Sequence, residues 1–139
     1  MSPALLNGLA RTTEPRIALR RFLALDALVT AANGLAYAAA SGPLGRSLGV
    51  DPALLLGVGV FLTLFAAGVG HLASRREPPA AAVGLVVGAN AAWAVLSVAA
   101  PFVWLTPTIA GAIWIPAQAA VVAGFAGLQW SALRAVGGV

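Results

Sequence analysis

Apolar residues run almost unbroken through four stretches of the chain, at about 22–40, 53–73, 80–100 and 109–130. Each is close to the roughly 20 residues that cross a bilayer as an α-helix. Between them stand short connections rich in Pro and Gly, "SGPLGRSLGVDP", "SRREPP" and "PFVWLTPT", which punctuate rather than continue a helix. Connections this short force neighbouring helices to run antiparallel. The pattern therefore predicts an all-α integral membrane protein, an antiparallel four-transmembrane-helix bundle over residues 21–134, with a flexible cytoplasmic tail at 1–20 and a short C-terminal tail at 135–139. Asp51 before Pro52 has the chemistry of an N-cap and first helical residue for the second span, and Thr108 after Pro107 that of a cap for the fourth. Trp104 falls in the loop after the third span, where an aromatic ring suits the membrane interface.

The polar residues inside the spans are few and patterned. In "LALDALVTAANGLAY", Asp26, Thr30, Asn33 and Tyr37 follow at spacings of four, three and four, which puts them on one helical face. Such a face points away from lipid. Asn90, Trp93 and Ser97 repeat the pattern in the third span, Trp114, Gln118, Phe125 and Gln129 in the fourth, and Thr63 and His71 are the polar groups of the second. Counting about 1.5 Å of rise per residue from each cytoplasmic end puts Asn33, Thr63, Asn90 and Gln118 at one mid-membrane level, with Asp26, His71 and Gln129 nearer the cytoplasm. Asp26 and His71 are then within reach of pairing directly or through water. Pro116 removes a helical N–H two residues before Gln118 and predicts a kink there.

Small residues dominate the remaining helix surfaces. Gly57, Gly59, Gly68 and Gly70 in the second span and Gly111, Gly124 and Gly127 in the fourth allow close packing, and "GLVVG" from Gly84 to Gly88 has the small-xxx-small spacing of a homodimer face.

Composition agrees with the pattern: of 139 residues, 60% are apolar and only 9% charged, against about a quarter charged in a soluble domain. There is no cysteine, which excludes disulfide chemistry, thiol catalysis and quinone-linked thiol redox relays. The net charge of +4 rests entirely on arginine, since lysine is absent. Arg11, Arg16, Arg20 and Arg21 precede the first span, Arg75 and Arg76 follow the second and Arg134 follows the fourth, with only Arg46 on the other side. By the positive-inside rule both termini are cytoplasmic, in a multi-pass protein of the inner (plasma) membrane. Arginines that flank spans do not form a nucleic-acid face. A competing reading takes Arg20, Arg21, the apolar run and "AYAAASG" as a cleavable secretory signal with a mature start near Ser41; the Asp and Asn within its core argue against cleavage.

No phosphate-binding glycine loop and no paired His/Glu metal spacing is present, and a single His makes a protein-only zinc site a poor reading. The sequence thus implies neither a cofactor nor a metal. The polar positions give three functional expectations. In the first, a cofactor-free isomerase or cyclase acts on a lipophilic substrate, with Asp26 and His71 as acid–base groups and Thr30, Asn33, Tyr37, Asn90, Trp93, Trp114 and Gln118 lining the substrate pocket. In the second, the layer only fixes helix register in a non-catalytic accessory or scaffold protein. In the third, Asp26 couples protons to export of small hydrophobic cations, although it lies nearer the cytoplasm than transporter sites usually do. Asp26 is the only acid within the four spans, and a membrane acid persists where it has a partner, a water path or a function.

The segments "LDALVTAANGLAY", "SGPLGRSLGV", "LLLGVGVFL", "NAAWAVLSV", "LTPTIAGAIWIPAQ" and "VAGFAGLQ" together resemble a group of small four-helix bacterial membrane proteins common in actinobacteria. The resemblance covers about residues 19–134, and Asp26, Asn33, Asn90, Trp93, Trp114 and Gln118 are its matching positions. It implies the four-helix fold and topology and brings no assigned reaction.

Overall fold

The structure is a computed structural model that describes the backbone of residues 3–103 and 106–137, and side chains from Pro15 onward within those limits. It is all-helical: α1 (Pro3–Ala39), α2 (Ser41–Leu48), α3 (Pro52–Ser74), α4 (Ala80–Val103) and α5 (Ile109–Val136). Four of these contain a stretch long and apolar enough to cross a membrane: Pro15–Ala39, Pro52–Ser74, Ala80–Val103 and Ile109–Val136. The large apolar side chains on their outer faces, among them Leu28, Leu64 and Leu85, are exposed, as a lipid-facing surface requires. The chain is a multi-pass membrane protein by this measure.

The element boundaries depart from the sequence reading in three places. The helix of the first span begins at Pro3, so the segment assigned to a tail is helical from there on. The helix of the fourth span, α5, continues to Val136, six residues past the expected end at 130, because nothing from Ser131 to Val136 breaks it. Most of "SGPLGRSLG" is a helix, α2, rather than an irregular loop. It is closed by Gly49, whose φ of 72° is a left-handed conformation that glycine adopts without strain. Trp104 lies outside the described residues.

Both expected caps form. The Asp51 carboxylate accepts from Ala53 N at 3.0 Å with Pro52 at the first helical position, and Thr108 Oγ1 accepts from Gly111 N at 3.2 Å. Thr108 also donates through its hydroxyl to Ser47 O and through its N–H to Leu48 O. The end of α2 is thereby clamped to the start of α5.

Helix packing is uneven. α1 lies against α3 over much of its length and also against α5, α5 lies against α4, and α3 and α4 barely touch. The α1–α3 crossing is close because two glycines meet there: a Cβ on Gly59 would stand 2.5 Å from Ala38 N, and one on Gly34 would stand 2.8 Å from Thr63 N. Gly111 is a close approach as well, since a Cβ there would collide with Leu48 O of α2, whereas most of the other candidate packing glycines stand in open space. Gly57, Gly68, Gly84, Gly88, Gly124 and Gly127 have no neighbour within 4 Å of a built Cβ, so within this chain they serve no close approach.

Two apolar clusters hold the ends of the bundle. One gathers Leu19, Leu23, Ala27, Val69, Leu72, Val83, Val86 and Ala132; the other gathers Tyr37, Leu55 and Leu62, with Leu44, Val50, Val58 and Trp93 against them. Along α1, Thr30 and Asn33 fall between these clusters, and Asp26 lies next to Ala27 at the edge of the first.

Candidate functional site: a polar knot behind an aromatic cavity

Asp26 is 1% exposed and sits where α1 faces α4 and α5. Its Oδ2 accepts from Asn90 Nδ2 at 2.7 Å and from Gln129 Nε2 at 2.7 Å, while its Oδ1 accepts from Thr30 Oγ1 at 2.9 Å, one turn along the same helix. Asn90 Nδ2 also donates to Gln129 Oε1 at 3.1 Å. Asn90 and Gln129 are 4% and 0% exposed, so three helices are tied directly through one carboxylate. No buried side-chain nitrogen or oxygen among the described residues lacks a partner, which is the condition under which polar groups are tolerated in such an interior.

This knot rearranges the two expected levels. Asn90 belongs with Asp26 rather than with the mid-membrane amides, and Gln129 joins Asp26 as its position suggested. His71 does not: it is exposed on α3, makes no side-chain hydrogen bond among the described residues and lines neither of the two cavities described below, and its carbonyl accepts from Ser74 Oγ. Depth along the bundle placed it near Asp26, but its direction around α3 turns it outward. Thr63 bonds back to Gly59 O at 2.8 Å and so satisfies itself within its own helix.

Beside the knot lies a cavity of about 520 Å³ walled by all four long helices, a size typical of small-molecule sites. Thr30, Asn33, Asn90, Trp93, Trp114 and Gln118 line it, as the sequence pattern suggested. Asp26 does not line it; Thr30 and Asn90 stand between the carboxylate and the space. The remaining walls are aromatic and aliphatic. Phe61 and Phe65 of α3 and Phe125 of α5 take part, and Phe61 stacks on Trp93 at 6.0 Å between centroids, bridging the sparse α3–α4 seam. Phe61 and Phe65 are not among the lining residues expected from the sequence, although their spacing of four on α3 puts them on one face.

The amides of Asn33 and Gln118 line this cavity without a hydrogen bond to any described residue. They contrast with Asn90 and Gln129, the same two residue types, whose amides are tied within the knot.

A second cavity, of about 380 Å³, shares Trp93, Leu96, Trp114 and Gln118 with the first and is otherwise lined by Tyr37, Ser97 and residues of α2 and α3 such as Leu48, Leu54 and Val58. Tyr37 therefore belongs to this neighbouring space rather than to the larger one. Trp114 Nε1 donates to Tyr37 Oη at 2.6 Å, which holds the indole on the boundary between the two.

Among the described residues no group of three or more His, Asp or Glu is placed to hold a metal ion. No protein-family model matches the chain, and neither the curated proteins nor the solved structures contain a match to it.

Proposed function

We propose that the protein takes a lipophilic small molecule into the cavity between its helices and carries out acid–base chemistry on it, an isomerisation or cyclisation without a cofactor. The observation that carries this reading is the pairing of Thr30 and Asp26: a hydroxyl that faces the cavity donates to a carboxylate hidden behind it. A ligand placed against Thr30 can exchange a proton with Asp26 through one hydroxyl, while the unpaired amides of Asn33 and Gln118 hold its polar group. Asp26 is then the proton store and Thr30 the group that meets the ligand. Trp93, Trp114 and Phe61 cover the hydrocarbon. His71 has no part in this arrangement.

The topology that goes with it has the four spans antiparallel, both termini cytoplasmic, in the plasma membrane; the arginines flanking the spans support this orientation. The open face at Gly84 and Gly88 fits a second copy of the chain and is not needed for the site. A purely structural role accounts for Asp26, Asn90 and Gln129 but leaves Asn33 and Gln118 without a purpose, and for that reason it is the weaker reading.

The substrate need not be identified for the test. Purified protein in nanodiscs is incubated in deuterium oxide with a lipid extract of its host, and species that gain deuterium are sought by mass spectrometry. A species labelled by the wild type and by Thr30→Ser but not by Thr30→Val or Asp26→Asn is the expected result. Equal labelling by Thr30→Val would remove the relay, and absence of any labelled species with the wild type would remove the enzymatic reading.

A further inference from the structure

The charges around the cavity go further than its shape. Among the described residues no arginine and no histidine lines it, and its walls include five aromatic rings, those of Phe61, Phe65, Trp93, Trp114 and Phe125. The carboxylate behind Thr30 and Asn90 is held by three neutral donors and has no ion pair among the described residues. Arg20 of α1 directs its Nε to Ala73 O at 3.1 Å. The aromatic faces carry negative quadrupole density, and Asn33 and Gln118 can turn their carbonyl oxygens inward. The carboxylate lowers the potential in the space, the amide oxygens and aromatic rings can add to this, and among the described residues no formal positive charge lines the cavity to oppose it.

We infer that the cavity is selective for positive charge: its ligand is a lipophilic organic cation, seated beside the aromatic rings of Phe61 and Trp93 that wall the cavity, with Asp26 as the counter-charge behind Thr30 and Asn90. This inference rests on the proposal that the cavity binds a lipophilic molecule, and adds the sign of the charge on that molecule. A cation beside aromatic rings and separated from a carboxylate by hydrogen-bonded hydroxyl and amide groups is stabilised without leaving the apolar core. An anion of the same shape meets the carboxylate and finds only amide N–H groups in return.

Tetraphenylphosphonium and tetraphenylborate, a cation and an anion of one shape, are the probes. Binding to the protein in nanodiscs is measured by calorimetry, with partition into protein-free nanodiscs subtracted. The cation is expected to bind at least about tenfold more tightly than the anion. Asp26→Asn is expected to reduce that preference, and the double variant Phe61→Leu with Trp93→Leu, which leaves the knot intact, to weaken cation binding by a similar factor. Equal binding of both probes would overturn the charge inference and leave the lipophilic site standing; binding of neither would overturn both. Should Asp26→Asn fail to fold, the aromatic double variant decides, and cation binding unchanged in it would overturn the seat at Phe61 and Trp93.

Discussion

Gln129 Nε2 donates to Asp26 Oδ2 at 2.7 Å, joining residues 103 positions apart in sequence and closing α5 onto α1 at a point from which water is excluded. Asn90 completes the triangle by donating to both partners. Interhelical hydrogen bonds in membranes are individually weak, averaging about 0.6 kcal/mol, but here one amide serves two acceptors and a carboxylate depends on it. Asn90→Leu is expected to destabilise the fold by about 1–2 kcal/mol in reversible unfolding from mixed micelles. Asn33→Leu, which removes an amide bonded to nothing described, is expected to change stability by less than about 0.5 kcal/mol. Equal losses in the two variants would mean that Asn33 serves the fold as Asn90 does.

The converse holds for ligand retention. Asn33→Leu and Gln118→Leu keep the knot and remove the polar groups that face the cavity. Each is expected to lower the amount of co-purifying lipophile, quantified by mass spectrometry after extraction, by about two- to tenfold, the worth of one hydrogen bond. Retention at the wild-type level in both variants would show that the amides do not hold the ligand.

Gly59 and Gly34 make the α1–α3 crossing, and a methyl group on Gly59 meets the backbone of Ala38, which has no side-chain freedom with which to give way. Gly59→Ala is expected to cost about 1–3 kcal/mol. Gly84→Ala and Gly88→Ala, with open space around them, are expected to leave the unfolding of the single chain unchanged. If a change of mass in detergent, followed by sedimentation, accompanies those two substitutions, the open face is a contact between copies of the chain.

The contrast between these glycines marks where the sequence was legible. Apolar runs of span length, the Asp51–Pro52 and Thr108 caps and the inward face from Asp26 to Tyr37 follow from spacing alone, since a helix fixes which residues share a side. Rotation of one helix against another is not fixed by that spacing. Depth counting therefore placed Asn90 with Asn33 and His71 with Asp26, whereas packing turned Asn90 toward Asp26 and His71 outward. The same limit hid Gly34 and Gly59 among many glycines of similar appearance, because a close crossing needs two of them opposite each other. Helix α2 was masked by the Pro and Gly in "SGPLGRSL", residues that favour a loop in isolation but are held here by the clamp from Thr108.

The hydrogen bond from Trp114 Nε1 to Tyr37 Oη, 2.6 Å long, spans two helices and fixes an indole that walls both cavities. Tyr37→Phe keeps the ring and deletes the acceptor, so the loss should be about 0.5–1.5 kcal/mol. Trp114→Phe deletes the donor and also part of the wall, and its cost includes lost packing as well as the bond. A double-mutant cycle of the two separates these parts: a coupling energy of about 1 kcal/mol is expected if the bond itself stabilises the pair, and strict additivity would show that the contact is incidental. Because the indole stands on the boundary, its removal has a consequence that stability alone does not report. In Trp114→Ala the spaces of about 520 and 380 Å³ are expected to become continuous, and the lipophiles that co-purify should shift toward larger masses. An unchanged mass distribution would place the partition between the two cavities elsewhere, on Trp93 or Gln118.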